Sequence, residues 1–278
     1  MKYTITKKTM LNANNVSITV HAPLVANRAR AGQFVIIRPF CDSERIPLTI
    51  SDYDRELGLV TLIFAPVGET TKELASLNQG ESVCDICGPL GRATDTKTAK
   101  NVIVIGGGVG SAIALPVAKQ FKEDGARVTA ILGFREKGLV ILEEQFKGVC
   151  DSVIITTNDG SVGEMGFVNA PLERLLKNGG YDEVIAIGSL LMMKKVCEST
   201  KPFGVKTIVS MNPIMIDGTG MCGGCRLLVD GKIKFACVDG PEFDGHLVDF
   251  DCLMRSNSQY GEHEKERSEN CNLFKGVL

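Results

Sequence analysis

Three cysteines and an aspartate carry the strongest chemical signal in this 278-residue sequence. Asp217, Cys222, Cys225 and Cys237 leave four, two and eleven residues between successive members. The interval matches C-x4-C-x2-C with a distant fourth cysteine, a spacing by which four thiolates hold a [2Fe-2S] cluster, except that an aspartate takes the first place. A loop wrapping such a cluster must turn sharply and aim backbone N–H groups at sulfur. Gly218, Gly220, Gly223 and Gly224 remove the side chains that would obstruct this. Three thiolates with a fourth ligand also suit tetrahedral zinc, and the spacing leaves that alternative open. An aspartate before a glycine is ordinarily a turn residue that bonds its own backbone. Its place in the series gives Asp217 a second reading, because three thiolates leave one iron position open and a carboxylate oxygen is a hard ligand suited to iron.

The remaining cysteines offer less. Cys84 and Cys87 form another CxxC, but ESVCDICGPLG reads as a strand in which a separation of three sends the side chains to opposite faces. Both are expected as buried thiols. Cys41, Cys150, Cys197, Cys252 and Cys271 have no partner at a useful spacing. The first twenty residues, MKYTITKKTMLNANNVSITV, lack the apolar stretch of a signal peptide, and no run of about eighteen apolar residues follows. A cytoplasmic protein without a membrane span is therefore expected, with its ten cysteines acting as ligands or reduced thiols rather than disulfides.

A second signal is NVIVIGGGVGSAIALPVAK, in which an apolar strand passes into a helix through Gly106, Gly107, Gly108 and Gly110. Such a loop lets backbone approach a pyrophosphate and turns a helix N-terminus toward its charge. Ser111 replaces the usual last glycine, and no acid ends the next strand to hold a ribose. That strand runs instead into Gly133, Phe134, Arg135, Glu136 and Lys137, where Arg135 suits a nucleotide phosphate or a solvated surface equally. Later strands end in TTNDGSVG and IGSLLMM, which would bring Asn158, Asp159, Gly160 and Gly188 to the ligand-bearing carboxyl edge of a sheet. Asx-glycine turns are also common without function.

These motifs must be positioned by two textures of sequence. Up to about residue 97, short alternating or apolar runs such as VSITVHAPL, QFVIIRPF, PLTISDYD and LVTLIFAPV are broken by Gly, Pro, Asn and Asp. They predict an antiparallel barrel or sandwich. From Asn101, buried strands such as ARVTAILGF and DEVIAIGS alternate with helical segments, which predicts a doubly wound parallel sheet. After about residue 211 come the cysteine module and a charged tail, SQYGEHEKERSEN. The predicted division is thus 1–97, 98–211 and 212–278. The 31 basic and 33 acidic residues nearly cancel, and no basic stripe is interleaved with aromatics. Nucleic acid is therefore not an expected partner.

Taken in order, ERIPLTI, VGETTKEL, GPLG, GGGVGSAIALPVAK, GSLLMMKKV and IMIDGTGMCGGCR resemble the ferredoxin-NADP reductase superfamily across nearly the whole chain. More narrowly they look like the branch holding dihydroorotate dehydrogenase B electron-transfer subunits, sulfide dehydrogenase beta subunits and small subunits of NADH-dependent ferredoxin:NADP oxidoreductases. The resemblance implies an FAD barrel in which Arg45, Pro47, Leu48 and Thr49 match the flavin strand. Arg45 would pair with the FAD pyrophosphate, and Thr49 would lie along the isoalloxazine. Gly68 and Thr71 match a turn that caps the FAD phosphates. Guanidinium forks and turn amides both suit phosphate. The dihydroorotate branch carries cysteine where this chain has Asp217, whereas DGTGMCGGCR is similar to the ferredoxin:NADP oxidoreductase and sulfide dehydrogenase forms. The implied partner is a larger flavoprotein resembling the small subunit of glutamate synthase, with ferredoxin reached through the complex.

The expected path runs from NAD(H) or NADP(H) to FAD and on to the cluster, or the reverse, since flavin converts two-electron into one-electron transfer. No acid-base catalyst is needed, and His21, His246 and His263 form no constellation. A dihydroorotate dehydrogenase B subunit and a non-catalytic redox- or nucleotide-sensing module are the alternatives. Arg135 and Lys137 fit a phosphate-bearing ribose, while the resemblance favours NADH.

Overall fold

The computed structural model describes residues 2–258. The charged segment from residue 259 onward, with His263 and Cys271, lies outside the described residues.

Strands β1 (Tyr3–Asn12), β2 (Asn15–His21), β3 (Phe34–Arg38), β4 (Ile46–Asp54), β5 (Leu59–Phe64), β6 (Ser82–Val83) and β7 (Asp85–Leu90) form one sheet in the order β6-β1-β2-β5-β4-β3-β7. Every pairing in it is antiparallel, and the sheet curls into the expected barrel. Alternation drives this. In β5 every second residue is buried, and Val60, Leu62 and Phe64 meet Ile18, Val35, Ile37 and Ile50 inside. Helices α1 (Pro23–Ala26) and α2 (Glu69–Ser76) fill two of the connections.

The next segment is doubly wound. Strands β8 (Asn101–Gly107), β9 (Arg127–Phe134), β10 (Ser152–Thr157), β11 (Glu164–Met165), β12 (Glu183–Ile187) and β13 (Lys206–Ser210) are parallel, with α3 (Ser111–Glu123), α4 (Glu143–Val149), α5 (Asn169–Asn178) and α6 (Leu190–Thr200) between them. The order β11-β10-β9-β8-β12-β13 reverses direction between β8 and β12, so a crevice opens there at the carboxyl edge. The strands read as continuous apolar runs because helices cover both faces; Val102 to Ile105 and Val184 to Ile187 are all buried.

The final part contains the hairpin β14 (Arg226–Val229) and β15 (Lys232–Phe235), then α7 (Ala236–Asp239), β16 (Glu242–Asp244) and α8 (Phe250–Ser258). β16 pairs antiparallel with β13 and ends the parallel sheet. Polar contacts reinforce the seam between barrel and sheet. The Arg92 amide donates to the Gly240 carbonyl at 2.7 Å, the Thr94 amide donates to the Ala31 carbonyl at 3.0 Å, and the Thr94 hydroxyl donates to Glu242 Oε1 at 2.7 Å.

Burial pushes the Glu242 carboxyl from its ordinary 4.5 up to about 7; the Thr94 hydrogen bond opposes this and the Glu183 charge adds to it. A carboxyl with a raised folded-state value keeps its proton where the unfolded chain has released it. Its stabilising contribution is therefore complete below pH 4.5 and is lost as pH rises through about 7. Denaturant titrations of Glu242→Gln should lack this component, which in the parent chain should amount to roughly 1 to 3 kcal/mol between pH 5 and 8. An unchanged pH profile in the variant would exclude Glu242 as its source.

Candidate functional site

The cysteine loop is shaped by its own polar groups. Asp217 Oδ1 accepts the Thr219 amide and Oδ2 accepts the Cys222 amide, each at 2.9 Å, and these bonds hold its carboxyl below the ordinary carboxylate range. The sulfurs also receive amides: Gly224 N–H donates to Cys222 Sγ at 3.5 Å and Cys237 N–H to Cys225 Sγ at 3.4 Å. Cys225 and Cys237 are buried with their sulfurs 3.2 Å apart, whereas Cys222 is exposed on the rim. Burial, together with the neighbouring Cys225, pushes the Cys237 thiol upward. No three His, Cys, Asp or Glu side chains converge on a point suited to a single metal ion among the described residues. Three thiols served by loop amides beside a carboxylate nonetheless fit an iron-sulfur group, whose ligands are spread around more than one iron.

That loop rests on the barrel. A Cβ added to Gly218 would lie 2.6 Å from Leu90 Cδ1 and 2.9 Å from Ile36 Cγ1, and its φ of +75° is one that side-chain-bearing residues rarely adopt. Ile36 on β3 stands opposite Pro47 on β4 and Cys87 on β7; Phe34 stands opposite Thr49 and Leu90. Residues directly opposite share a face, so Pro47 and Thr49 lie on the face that carries the loop. Leu48 instead stands opposite Val35 and packs toward the barrel core, offering that face only backbone. Phe34 and Ile36 belong to the apolar cluster of Cys225 and Cys237, whereas Val35 and Ile37 belong to the barrel interior.

Arg45 precedes β4, and its Nη2 donates to Asp85 Oδ2 at 2.5 Å, with the two side chains 40% and 32% exposed. Nothing in the spacing announces Asp85, since the pair joins strands forty residues apart. The antiparallel β4–β5 register brings the end of β5 beside the start of β4, so the turn at Gly68 opens at the Arg45 end of the barrel. There the Gly68 amide donates to the Thr71 hydroxyl, which donates back to the Gly68 carbonyl, both at 2.9 Å.

The glycine loop sits at the switch point. Added Cβ atoms at Gly106, Gly107, Gly110 and Gly188 would meet Ser111, Met192, the Ile187 carbonyl and Met192 at 2.7, 2.4, 2.4 and 2.6 Å. These four glycines therefore serve close packing of β8 and β12 against α3 and α6. Gly108 is different, with φ +55° and nothing within 4 Å of an added Cβ. Beside it the Ser111 hydroxyl is buried at the start of α3 and has no hydrogen-bond partner. An open backbone cradle and an unpaired donor at a helix N-terminus fit a nucleotide phosphate. Further along the same edge, the Asp159 amide donates to the Arg135 carbonyl at 3.3 Å and the Asn158 amide to Phe134 at 3.1 Å. The Asp159 carboxylate accepts from the Ser161 hydroxyl and amide, which lower it below the usual range, so it acts within its turn; Gly160 closes that turn at φ +73°.

Two cysteine expectations are corrected. Cys41 and Cys84 are joined in a disulfide, because the turn after β3 folds back on the approach to β7, and Cys87 is exposed rather than buried. Cys150 and Cys197 are free, and burial pushes each thiol up to about 12.

Residues 212–249 match the family described as the iron-sulfur cluster binding domain of dihydroorotate dehydrogenase B. A protein of Thermotoga maritima named a homolog of the dihydroorotate dehydrogenase B (NAD(+)) electron transfer subunit is 44% identical, covering 94% of this chain and 92% of its own. The corresponding subunit of Fusobacterium nucleatum is 30% identical over 86% of this chain and 95% of its own. A solved structure of an NADH-dependent reduced ferredoxin-NADP oxidoreductase, described in connection with flavin-based electron bifurcation, superposes with a TM-score of 0.92. It is 42% identical, covering 97% of this chain and 98% of that one.

The Gly218 contact makes a checkable demand on stability. Gly218→Ala should lower it by about 1 to 3 kcal/mol, since the added methyl is both overpacked and at an unfavourable φ. Gly231→Ala, at φ +69° with open space around it, should lose only about 1 kcal/mol. Equal unfolding midpoints for the two variants would remove the packing role of Gly218.

Proposed function

The chain belongs to the family of dihydroorotate dehydrogenase B electron-transfer subunits and their homologues, and from that premise we propose that it transfers electrons between NAD(P)H, FAD and a [2Fe-2S] cluster as the small subunit of an NADH-dependent ferredoxin:NADP oxidoreductase. One observation carries the reading: the cysteine loop lies, through Gly218, on the barrel face that bears Pro47 and Thr49. A flavin on that face and a cluster in that loop would be neighbours. When bound, FAD takes two electrons as hydride and the cluster exchanges them singly.

The chain's own residues supply binding and placement. Arg45 offers a guanidinium fork to the FAD pyrophosphate and the Gly68–Thr71 turn adds amides, while the β4 backbone at Pro47 and Leu48 and the Thr49 hydroxyl line the ring. Gly108, Ser111 and the α3 N-terminus receive the nicotinamide nucleotide's phosphates, with Arg135, Asn158, Asp159 and Gly160 further along that edge. Asp217, Cys222, Cys225 and Cys237 hold the cluster, and the Gly224 and Cys237 amides help neutralise thiolate charge. No side chain moves a proton in this scheme. His246 is structural, its Nε2 lying 3.2 Å from the Val205 carbonyl and 3.5 Å from Thr200 Oγ1.

Exposed Ile216, Met221 and Val238 surround the cysteine loop, with Met221 88% exposed. Such an apolar rim supports a protein partner at the electron exit. The partner in this reading is a larger glutamate-synthase-like flavoprotein subunit, through which ferredoxin is reached. No helix among the described residues is long and apolar enough to cross a membrane. The aspartate at position 217, where the resemblance gives the dihydroorotate branch a cysteine, supports this system over the dihydroorotate one, and the near full-length likeness to the ferredoxin-NADP oxidoreductase structure is consistent with it.

The purified chain with FAD bound should therefore oxidise NADH with a dye acceptor and leave dihydroorotate untouched. Dihydroorotate turnover by the single chain would overthrow the division of labour. For the ligand set, Asp217→Cys should retain a cluster with a shifted potential and electron paramagnetic resonance spectrum, and Asp217→Ala should give a labile one. A spectrum indifferent to Asp217→Cys would confine Asp217 to its turn, and zinc without iron in anaerobically prepared protein would sink the cluster.

A further inference from the structure

We propose that a cavity of about 630 Å³ at the far end of the barrel from Arg45 is a binding site for a small diphosphate-bearing anion, held by Arg28, Arg30 and Arg55. Strand β4 separates the two places, since Arg45 precedes it and Arg55 follows it. Neither Arg45 nor Gly108 lines the cavity, so it is distinct from the phosphate positions proposed for FAD and the nicotinamide nucleotide. Its volume falls in the range of small-ligand sites, about 300 to 1,000 Å³.

Three segments build it. The loop between α1 and β3 brings Asn27, Arg28, Arg30 and Gln33, the turn between β4 and β5 brings Arg55, and the link after β7 brings Ala93. Hydrogen bonds fix these segments against one another. Arg55 Nη2 donates to the Ala29 carbonyl at 2.9 Å, Gln33 Nε2 donates to the Gly91 carbonyl at 2.8 Å, and the Arg30 amide donates to Gln33 Oε1 at 3.0 Å. The Arg55 guanidinium also stands 4.7 Å from the centre of the Tyr53 ring, a cation–π distance. The backbone that carries the site is thus set before any ligand arrives, which lowers the ordering cost of binding.

The charge pattern points to an anion. Carboxylates pair with Arg45, Arg92 and Arg174, whereas none pairs with Arg28, Arg30 or Arg55 among the described residues. No acidic side chain lines the cavity; Asp54, beside Arg55, turns instead to the Leu57 amide, which donates to its Oδ1 at 2.9 Å. The chain as a whole has a formal net charge of -2, so these cations are a local concentration and not a share of general basicity. Walls of one charge sign around a concavity focus the field on its interior. All three cations are arginines, whose planar forks each match two phosphate oxygens. Three forks exceed what one phosphate group can occupy, which selects two linked phosphates.

The test uses the full chain with its cluster and FAD bound, titrated calorimetrically with pyrophosphate at low salt. Pyrophosphate should bind in the presence of excess NADH, about 10-fold more tightly than orthophosphate. Arg28→Gln and Arg30→Gln should each weaken it about 10-fold, through loss of one charge-assisted contact. Arg92→Gln, which removes an arginine paired with Asp239 outside the cavity, should leave it unchanged. Arg28 and Arg30 are exposed, so both variants should keep the parent's unfolding midpoint and its NADH oxidation with a dye acceptor. No binding heat in the parent chain would overturn the proposal, as would full affinity in Arg28→Gln and Arg30→Gln. Displacement by NADH would overturn it too, because the pyrophosphate would then sit at Gly108. Equal weakening by Arg92→Gln would reduce the effect to general surface charge, and equal affinity for orthophosphate would overturn the assignment to a diphosphate.

Discussion

The arrangement depends on one steric constraint: the cysteine loop can lie on the barrel only where it has no side chain. Gly218 presses its backbone onto Ile36 and Leu90, and any Cβ there would occupy their methyl groups. Because a strand sends alternate residues to opposite faces, β3 serves two cores at once. Val35 and Ile37 fill the barrel, while Phe34 and Ile36 pack with Cys225, Cys237 and Met215 outside it. The same strand that closes the barrel thus fixes where the loop stands relative to Pro47 and Thr49. Electron transfer weakens steeply with separation, so a one-carbon intrusion at Gly218 would act on function through distance as well as on folding.

The parallel sheet solves a related problem at its switch point. Four glycines let β8, β12, α3 and α6 approach until a Cβ at Gly188 would lie 3.3 Å from the Gly107 Cα. Within the Gly106–Gly110 loop only Gly108 faces open space. A glycine-rich motif therefore mixes two demands, close packing and ligand access, that are indistinguishable as letters. The buried, unpaired Ser111 hydroxyl marks the side from which a ligand's oxygen would come.

The sequence was legible where a local rule operates. Alternation in LVTLIFAPV and unbroken apolarity in NVIVIGG announce two kinds of strand because solvent reaches one face of the first and neither face of the second. Cysteine spacing singled out the segment that matches the iron-sulfur cluster binding family because loop geometry is short-range, and the ligand set within it is the proposal made above. What escaped is long-range pairing. The Arg45–Asp85 ion pair and the Cys41–Cys84 bridge each join segments about forty residues apart through the β3–β7 register, and no spacing rule reports a register. Cys87 was misjudged for the same reason, since its exposure depends on which face of β7 the loop leaves uncovered. The hydrogen bonds of Asp217 show the turn role that its neighbour Gly218 suggests, and its ligand role is the proposal made above.

Asp85 explains how Arg45 can be both held and available. An ion pair between side chains that are 40% and 32% exposed contributes about 0 to 1 kcal/mol, because water screens it and both side chains lose freedom. A charge-assisted bond from the same guanidinium to a pyrophosphate is worth roughly 1.5 to 3 kcal/mol. If Arg45 takes the flavin phosphate as proposed, the difference runs toward phosphate, and Asp85 would orient the fork without outcompeting the ligand. A buried carboxylate in its place would reverse the balance, since removing Arg45 would strand an uncompensated charge. Placing the pair at the barrel's rim would keep such an exchange of partners close to neutral for Asp85, which would return to water, and favourable for Arg45.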